Sequence, residues 1–335
     1  MVKEYRDGLV VLGAGSIGLA FAAVFEDAGF AVTIVEPVAE RRAALAKALQ
    51  AQRSAIALAA LSFGKNGPIA SVAGLADAPK DPVLVIECGP EHLETKRAIF
   101  RDLLAMMDPA TPLATASSAI PMSRILPDAA DQTRCLVAHP VNPPSVLRLI
   151  ELAPAPGTAP EFTDRAAEVF SAAGFTAVAL RKEVEGFVLN RLQGAVLREA
   201  YRLVEEGVAD VAGIDAVMRL GLGPRWALSG PFETAELNTP GGIEAHARRM
   251  GPAYKRIGED RGETVDWNAA LVARVAAERA RLLAPERQDE RRVWRARAVA
   301  RLVAERNRIQ SGPGQRRSDQ PGSDQRGSDQ RGSDD

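Results

Sequence analysis

Short, unbroken apolar runs alternate with longer helical patterns over the first half of the chain. Leu9-Val10-Val11-Leu12, Ala31-Val32-Thr33-Ile34-Val35 and Val83-Leu84-Val85-Ile86 are runs of consecutive apolar or β-branched residues. Leu113-Ala114-Thr115 and Cys135-Leu136-Val137-Ala138 repeat the pattern. Strands covered on both faces read this way, because neither side meets water. Between them, residues 17–28, the Ala-rich stretch 39–63 and residues 91–107 carry helical periodicity, the first closed by Gly29. Alternation of this kind predicts an α/β fold with a doubly wound parallel sheet. After about Lys182 the strand signal vanishes. Residues 184–310 read as helices only, with breaks at Gly213, Gly221-Leu222-Gly223-Pro224, Gly230-Pro231 and Pro240-Gly241-Gly242. The expected organisation is an α/β domain over residues 1–183, an all-α domain over 184–310, and a tail from 311 to 335. The tail repeats Gly-Ser-Asp-Gln and has no apolar residue beyond Pro and Gly. It cannot bury enough surface to offset its ordering entropy, so it is expected to be disordered.

One turn in the first domain carries chemistry. Gly13-Ala14-Gly15-Ser16-Ile17-Gly18 is G-x-G-x-x-G, with a strand before it and a helix after it. That context makes it the dinucleotide fingerprint of a Rossmann-type sheet. Gly13 permits the turn, Gly15 lets backbone approach a pyrophosphate, and Gly18 lets the helix lie against the strand. Ser16 and Ile17 open that helix, where N–H groups and the positive dipole end face phosphates. Glu36 closes the second strand at the distance where an acid accepts both ribose hydroxyls. A carboxylate there repels a 2′-phosphate, so NAD is the expected cofactor. Arg41 and Arg42 follow closely and temper that preference, Arg41 standing near enough to count as cofactor-binding.

Charge narrows the function classes. The chain has 335 residues, 42 basic and 43 acidic, for a net charge of −1. That balance argues against a generic polyanion binder or a membrane-surface protein. Residues 274–308 hold 11 arginines against 5 acids, but interleaved with Ala and Glu and without a basic-aromatic motif. They read as a solvated helix, and no nucleic-acid partner is expected. No transmembrane span or secretory leader is read. Two cysteines, Cys88 and Cys135, cannot build a disulfide framework or a zinc site, so buried free thiols, no metal and a cytoplasmic location are expected.

Three histidines occur in the chain, His92, His139 and His246. An imidazole gives and takes a proton near neutral pH. His139 follows an apolar strand run, so it stands at the carboxyl end of a strand, where open α/β sheets place their ligands. Glu151 lies twelve residues on in an apolar setting and needs a partner. His139 would satisfy it. The alternatives are a histidine that caps a loop and a glutamate paired with Arg148. Ser118 reads as a turn or cap serine, and Arg225 as a fork for a substrate carboxylate or a surface arginine.

Taken in order, these residues resemble a known family. Gly13 to Gly18, Glu87-Cys-Gly-Pro-Glu91, Ser117-Ser118, His139-Pro-Val-Asn142-Pro143, Glu151 and Gly186-Phe-Val-Leu-Asn190-Arg-Leu look like the 3-hydroxyacyl-CoA dehydrogenase superfamily. Tyr201-Arg-Leu-Val-Glu-Glu-Gly, Gly221-Leu-Gly-Pro-Arg225-Trp and Gly230-Pro-Phe-Glu-Thr narrow the likeness to its lambda-crystallin branch, the L-gulonate 3-dehydrogenases. The likeness spans nearly all of residues 5–308. It implies oxidation of the 3-hydroxyl of a small hydroxy acid by NAD. His139 would take the proton and Glu151 would support the imidazole. Ser118 and Asn190 would hold the reacting oxygen, and Asn142 the loop after His139. Glu87 and Lys96 match positions near the nicotinamide-side ribose, although Glu87 fits a pair with Lys96 or Arg97 equally well. The family pairs through its helical domain, which implies a homodimer. The chain carries Ala116 and Ala119 where the acyl-CoA enzymes have Asn and Ser. Between the second strand and Val83 it has only Lys47, Lys65 and Lys80, few cations for the phosphates of CoA. The same chemistry on 3-hydroxybutyryl-CoA or on carnitine is the alternative. A purely structural, NAD-binding role is a further rival, against which the intact Ser118, His139, Glu151 and Asn190 set argues.

Overall fold

The computed structural model describes residues 6–59, 61–262 and 268–291, with 294 and 305 besides. The repetitive tail, and most of the arginine-rich stretch before it, lie outside the described residues. Contacts divide the chain into two compact units, Met1–Arg198 and Glu199–Asp335.

The first unit is built on a sheet of β1 (Arg6–Leu12), β2 (Phe30–Val35), β3 (Ile69–Val72), β4 (Leu84–Glu87), β5 (Leu113–Thr115), β6 (Cys135–Pro140), β7 (Leu149–Pro154) and β8 (Thr176–Ala179). Helices α1 (Ser16–Asp27), α2 (Ala39–Leu58), α3 (Leu93–Met106), α4 (Met122–Ile125) and α5 (Pro160–Ala172) lie between strands, and α6 (Leu189–Glu205) follows β8. The eight strands lie in the order β3-β2-β1-β4-β5-β6-β7-β8. Strands β1 to β6 run parallel, the doubly wound arrangement expected.

The last two strands add to the parallel core that the sequence predicts. Strand β7 pairs antiparallel with β6. The eight residues 141–148 that join them are too few for the crossover a parallel pair requires. Strand β8 pairs parallel with β7, because α5 supplies that crossover. Strands β3, β7 and β8 escaped the sequence reading. The first and last are four-residue edge strands, only partly buried, and β7 has Glu151 at its centre.

The continuous apolar runs hide a period of two. Leu9, Val11, Leu84, Ile86, Leu136 and Ala138 face one core, which also holds Phe21, Phe25, Phe170 and Phe175. Val10, Val85, Cys135 and Val137 face the other, with Phe100, Leu103 and Phe187. On the first face the four phenylalanines pack ring against ring at 5.6–6.5 Å between centroids. A sheet buried on both faces is stiff, and its strand ends become fixed points for the loops that follow.

Every described element of the second unit is helical, as expected. They are α7 (Val211–Val217), a π turn at Met218–Leu222, α8 (Gly223–Trp226), α9 (Pro231–Leu237), α10 (Gly242–Asp260), α11 (Ala269–Leu282) and a short turn at Pro285–Arg287. The breaks at Gly230-Pro231 and at Gly241 fall at helix starts, with Pro231 in the first turn. Gly213 is not a break. It lies in the first turn of α7, where its N–H donates to the capping carboxylate of Asp210 at 2.7 Å. Arg261, just past α10, grips Glu199 and Glu206 at 3.1 and 2.5 Å. Arg279 on α11 bonds Glu236 of α9 at 2.8 Å.

Candidate active site

The glycine turn has the shape that a pyrophosphate needs. A Cβ on Gly18 would stand 2.0 Å from the Gly13 carbonyl oxygen, so helix and strand approach too closely for any side chain. A Cβ on Gly15 would meet no heavy atom within 4 Å, so the backbone there faces open space. No side chain caps the start of α1 at Ser16 and Ile17. An uncapped helix start behind an open glycine is the donor set for an anionic diphosphate.

Glu36 is buried just past β2. Its Oε2 accepts the Ala14 N–H at 3.0 Å, and its Oε1 accepts the Val38 N–H at 3.0 Å. Burial pushes this carboxyl up, but the Val38 and Ala14 donors, with Arg41 and Arg42, bring it below the usual carboxylate range. Glu36 therefore ties the glycine turn to β2 while each oxygen keeps lone-pair capacity for a ribose hydroxyl. Arg41 stands 3.8 Å from Oε2 and is largely exposed. Arg42 turns back to donate to the Glu36 and Pro37 carbonyls.

Glu87 and Lys96 form a sealed pair. Their exposures are 0% and 1%, and Lys96 Nζ meets Glu87 Oε2 at 2.8 Å. Thr115 also donates to Glu87 Oε2, at 2.6 Å, and the Gly89 N–H reaches Oε1 at 2.6 Å. Of the two readings open for Glu87, the geometry is that of the pair with Lys96, and Arg97 bonds Glu94 instead. Neither sealed group presents itself at the surface. Glu91 does. Its Oε1 accepts the Ser117 hydroxyl at 2.5 Å and the Ser118 and Ala119 N–H groups at 3.1 and 3.0 Å, and Lys96 stands 3.5 Å from its Oε2. Burial pushes the Glu91 carboxyl up, yet the Ser117 and Ala119 donors and Lys96 outweigh it and hold it low. Glu91 thus fixes the serine loop. The sequence offered it inside the Glu87-Cys-Gly-Pro-Glu91 motif, but gave it no role of its own.

His139 and Glu151 face each other across the antiparallel ladder of β6 and β7. Directly opposed residues bring their side chains together, and Nδ1 of His139 lies 2.8 Å from Glu151 Oε2. Both side chains are buried. Arg148 does not compete for Glu151, because its guanidinium donates to the Ser145 and Ala173 carbonyls. The other oxygen, Oε1, accepts the Val188 and Leu189 N–H groups at 2.9 and 3.0 Å. Burial pushes the Glu151 carboxyl up, and the bonds from His139, Leu189 and Val188 bring it below its ordinary value.

The same helix start carries Asn190, whose amide donates to the Ser118 carbonyl at 2.9 Å. One chain of contacts therefore links His139, Glu151, α6, Ser118 and Glu91. Ser118 itself is exposed, its N–H and carbonyl both engaged. Asn142 does not hold the loop after His139 as expected. It is exposed, and the loop is closed by the Val146 and Leu147 N–H groups on the Pro143 carbonyl. Arg225 lies in the second unit, donates to the Gly221 carbonyl at 3.0 Å, and lines a cavity of about 570 Å³ with Trp226, Phe232, His246 and Tyr254. The thiols are not nucleophiles here. Burial pushes Cys88 up and Cys135 up to about 12, so both stay protonated.

A doubly wound sheet, an open glycine turn and an acid closing the second strand define an NAD-dependent dehydrogenase. Residues 8–184 match the family model of the 3-hydroxyacyl-CoA dehydrogenase NAD binding domain, and residues 186–277 match that of its C-terminal domain. The chain belongs to the 3-hydroxyacyl-CoA dehydrogenase family. It is 36% identical to a lambda-crystallin homolog from Bos taurus, over 80% of this chain and 85% of that one. It is 37% identical to an L-carnitine dehydrogenase from Streptomyces griseus, over 72% of this chain and 73% of that one. A solved diketoreductase, active on dicarbonyl compounds, is 28% identical and superposes with a TM-score of 0.58 over 78% of this chain and 98% of its own.

Proposed function

We propose that this protein oxidises the 3-hydroxyl of a small hydroxy acid, with L-gulonate as the first candidate and His139 as the general base. The buried pair of His139 and Glu151 at 2.8 Å, at the carboxyl end of β6, is the observation that carries this reading. Bound NAD supplies the hydride acceptor. Gly13, Gly15, Ser16, Ile17 and Gly18 would hold its diphosphate, and Glu36, with Arg41 beside it, its adenine-side ribose. With the Nδ1 proton committed to Glu151, Nε2 carries the lone pair that takes the substrate's hydroxyl proton. The Glu151 carboxylate stabilises the imidazolium that results. Ser118 and Asn190 would bind the reacting oxygen. Glu87 and Lys96 act from beneath, through Glu91, which fixes the serine loop. Asn142, exposed in the turn after His139, would contact substrate rather than brace that turn, and Arg225 would bind a carboxylate.

The second reading keeps every one of these residues and changes the substrate to 3-hydroxybutyryl-CoA or carnitine. The family match and the L-carnitine dehydrogenase likeness support it. The likeness to lambda-crystallin homologs and the few lysines before Val83 favour the smaller acid. Turnover of L-gulonate, L-carnitine and 3-hydroxybutyryl-CoA, each with NAD and with NADP, separates the readings. The expected result is the highest kcat/KM for L-gulonate with NAD. A clear preference for the acyl-CoA would overturn the choice of substrate.

A homodimer is part of the reading. Tyr201, Val208, Val211, Val217 and Leu220 stand exposed in the second unit, apolar side chains of the kind that a second copy covers. A monomer in sedimentation equilibrium at micromolar concentration would remove this assignment. No helix among the described residues is long and apolar enough to cross a membrane. The two free cysteines support a cytoplasmic location, and no nucleic-acid partner enters the reading.

A further inference from the structure

Ahead of α6 the backbone does something that the Asn190 contact does not require. Gly186 and Phe187 are consecutive left-handed residues, with φ of +77° and +51°. Glycine enters that region freely, but phenylalanine does so only where its surroundings over-determine it. Two contacts do so here. The Phe187 ring is fully buried, with its centroid 5.2 Å from that of the His139 ring. The turn also sends the next two N–H groups, those of Val188 and Leu189, onto Glu151 Oε1 at 2.9 and 3.0 Å. Glu151 is thereby gripped at both ends, with His139 Nδ1 on Oε2 and two backbone donors on Oε1. A carboxylate with donors on both oxygens has one orientation, and so has the imidazole bonded to it.

We propose that the left-handed turn at Gly186 and Phe187 is a positioning device for the His139–Glu151 pair. The handedness of the backbone aims two N–H groups at Glu151, and the Phe187 ring sets the plane of the imidazole. The inference rests on the reading of His139 and Glu151 as the acid–base pair. It is separate from the choice of substrate. A turn that merely starts a helix would leave the protonation of the pair untouched. A turn that holds the carboxylate stabilises its ionised form, so losing a donor lets the first proton enter the pair at higher pH.

Leu189→Pro is the sharpest probe. Leu189 is the first residue of α6, where proline fits a helix, and the change replaces one N–H donor to Glu151 with a ring methylene that forces Oε1 away. Gly186→Ala strains the turn without deleting a donor, and Gly186→Asn restores a residue that tolerates the left-handed region. The chain has three histidines, so nitrogen-15 histidine NMR can follow the pair in the whole protein without substrate, with His139→Gln to assign the signal. In Leu189→Pro the protonation midpoint of the pair should rise, because the carboxylate that loses a donor holds the proton in the pair more tightly. Gly186→Ala should move the same way and Gly186→Asn should return toward the native midpoint. The turnover of the first two should fall about 10- to 100-fold, the usual cost of a small misplacement. A native midpoint in Leu189→Pro and Gly186→Ala proteins that fold and bind NAD would overturn the proposal. So would a shift in Gly186→Asn as large as in Gly186→Ala, because the added side chain rather than the handedness would then be the cause. The NMR readout needs no turnover, so an error about the substrate cannot be mistaken for failure of this inference.

Discussion

Replacing His139 with glutamine is expected to lower kcat/KM about 1,000-fold or more while NAD affinity stays unchanged. Glutamine keeps the bulk and a hydrogen bond to Glu151, but it cannot accept and release a proton. General base catalysis of this kind supplies roughly 100- to 10,000-fold. The cofactor residues lie in the turn after β1, at the start of α1 and just past β2 into α2, on other elements than the β6 that carries His139, so binding and chemistry should divide. Steady-state kinetics beside calorimetric titration with NAD makes the measurement. Unchanged turnover would remove His139 as the base. Glu151→Gln should cost more than activity. Glu151 accepts on both oxygens, from His139 and from the Val188 and Leu189 N–H groups. An amide has one acceptor and one donor end, so either a side breaks or His139 must carry its proton on Nε2 to accept at Nδ1, which removes the base. Leaving a buried partner unsatisfied costs roughly 1–3 kcal/mol of stability. The folded-state carboxyl lies below its ordinary value, so its contribution is full above the unfolded pKa and fades as the pH falls through the lower folded one. Native and Glu151→Gln proteins should therefore converge in stability under acid conditions and diverge at neutral pH.

Gly18→Val is expected to weaken NAD binding strongly and also to destabilise the first unit. The Cβ would lie 2.0 Å from the Gly13 carbonyl oxygen, which is backbone and cannot swing aside. Relief requires α1 to move off β1, at roughly 1–3 kcal/mol for overpacking. A shift of about 1 Å in the donors at its start would cost about 100-fold in what they position. Gly15→Ala provides the contrast. Its Cβ meets nothing in the protein within 4 Å, so the melting temperature should not change. NAD affinity should still fall, because that open space is where a diphosphate must approach. A Gly15→Ala protein that binds NAD normally would show that the glycine turn is not used as its spacing implies.

Much of the site was legible along the chain. Gly13, Gly15 and Gly18 stand between a strand run and a helix, and Glu36 closes the next strand, so a local pattern carried the cofactor turn. His139 was recognisable because a strand run ends on it. Its partner was harder. Glu151 sits in a strand that the apolar pattern did not reveal, because the acid itself interrupts the run. Twelve residues of separation fit a hairpin register as well as a loop, and only the antiparallel pairing of β6 with β7 places the two opposite each other. Asn142 and Glu87 show the converse. Their sequence positions suggested contacts, but exposure left the first without a bracing role, and burial gave the second to Lys96.

By itself, the sequence determined the α/β class, the helical second half, the dinucleotide turn and the histidine that ends β6. These follow from hydrophobic period and from glycine stereochemistry, which act between residues close in the chain. Tertiary structure alone decided that Glu151 belongs to His139, that Glu91 rather than Glu87 holds the serine loop, and that Val188 and Leu189 complete the carboxylate's shell. Each of these contacts joins residues 12 to 38 positions apart. Hydrogen bonding over such spans depends on strand register and on which groups are shut away from water, and neither is written in the local pattern of any one segment.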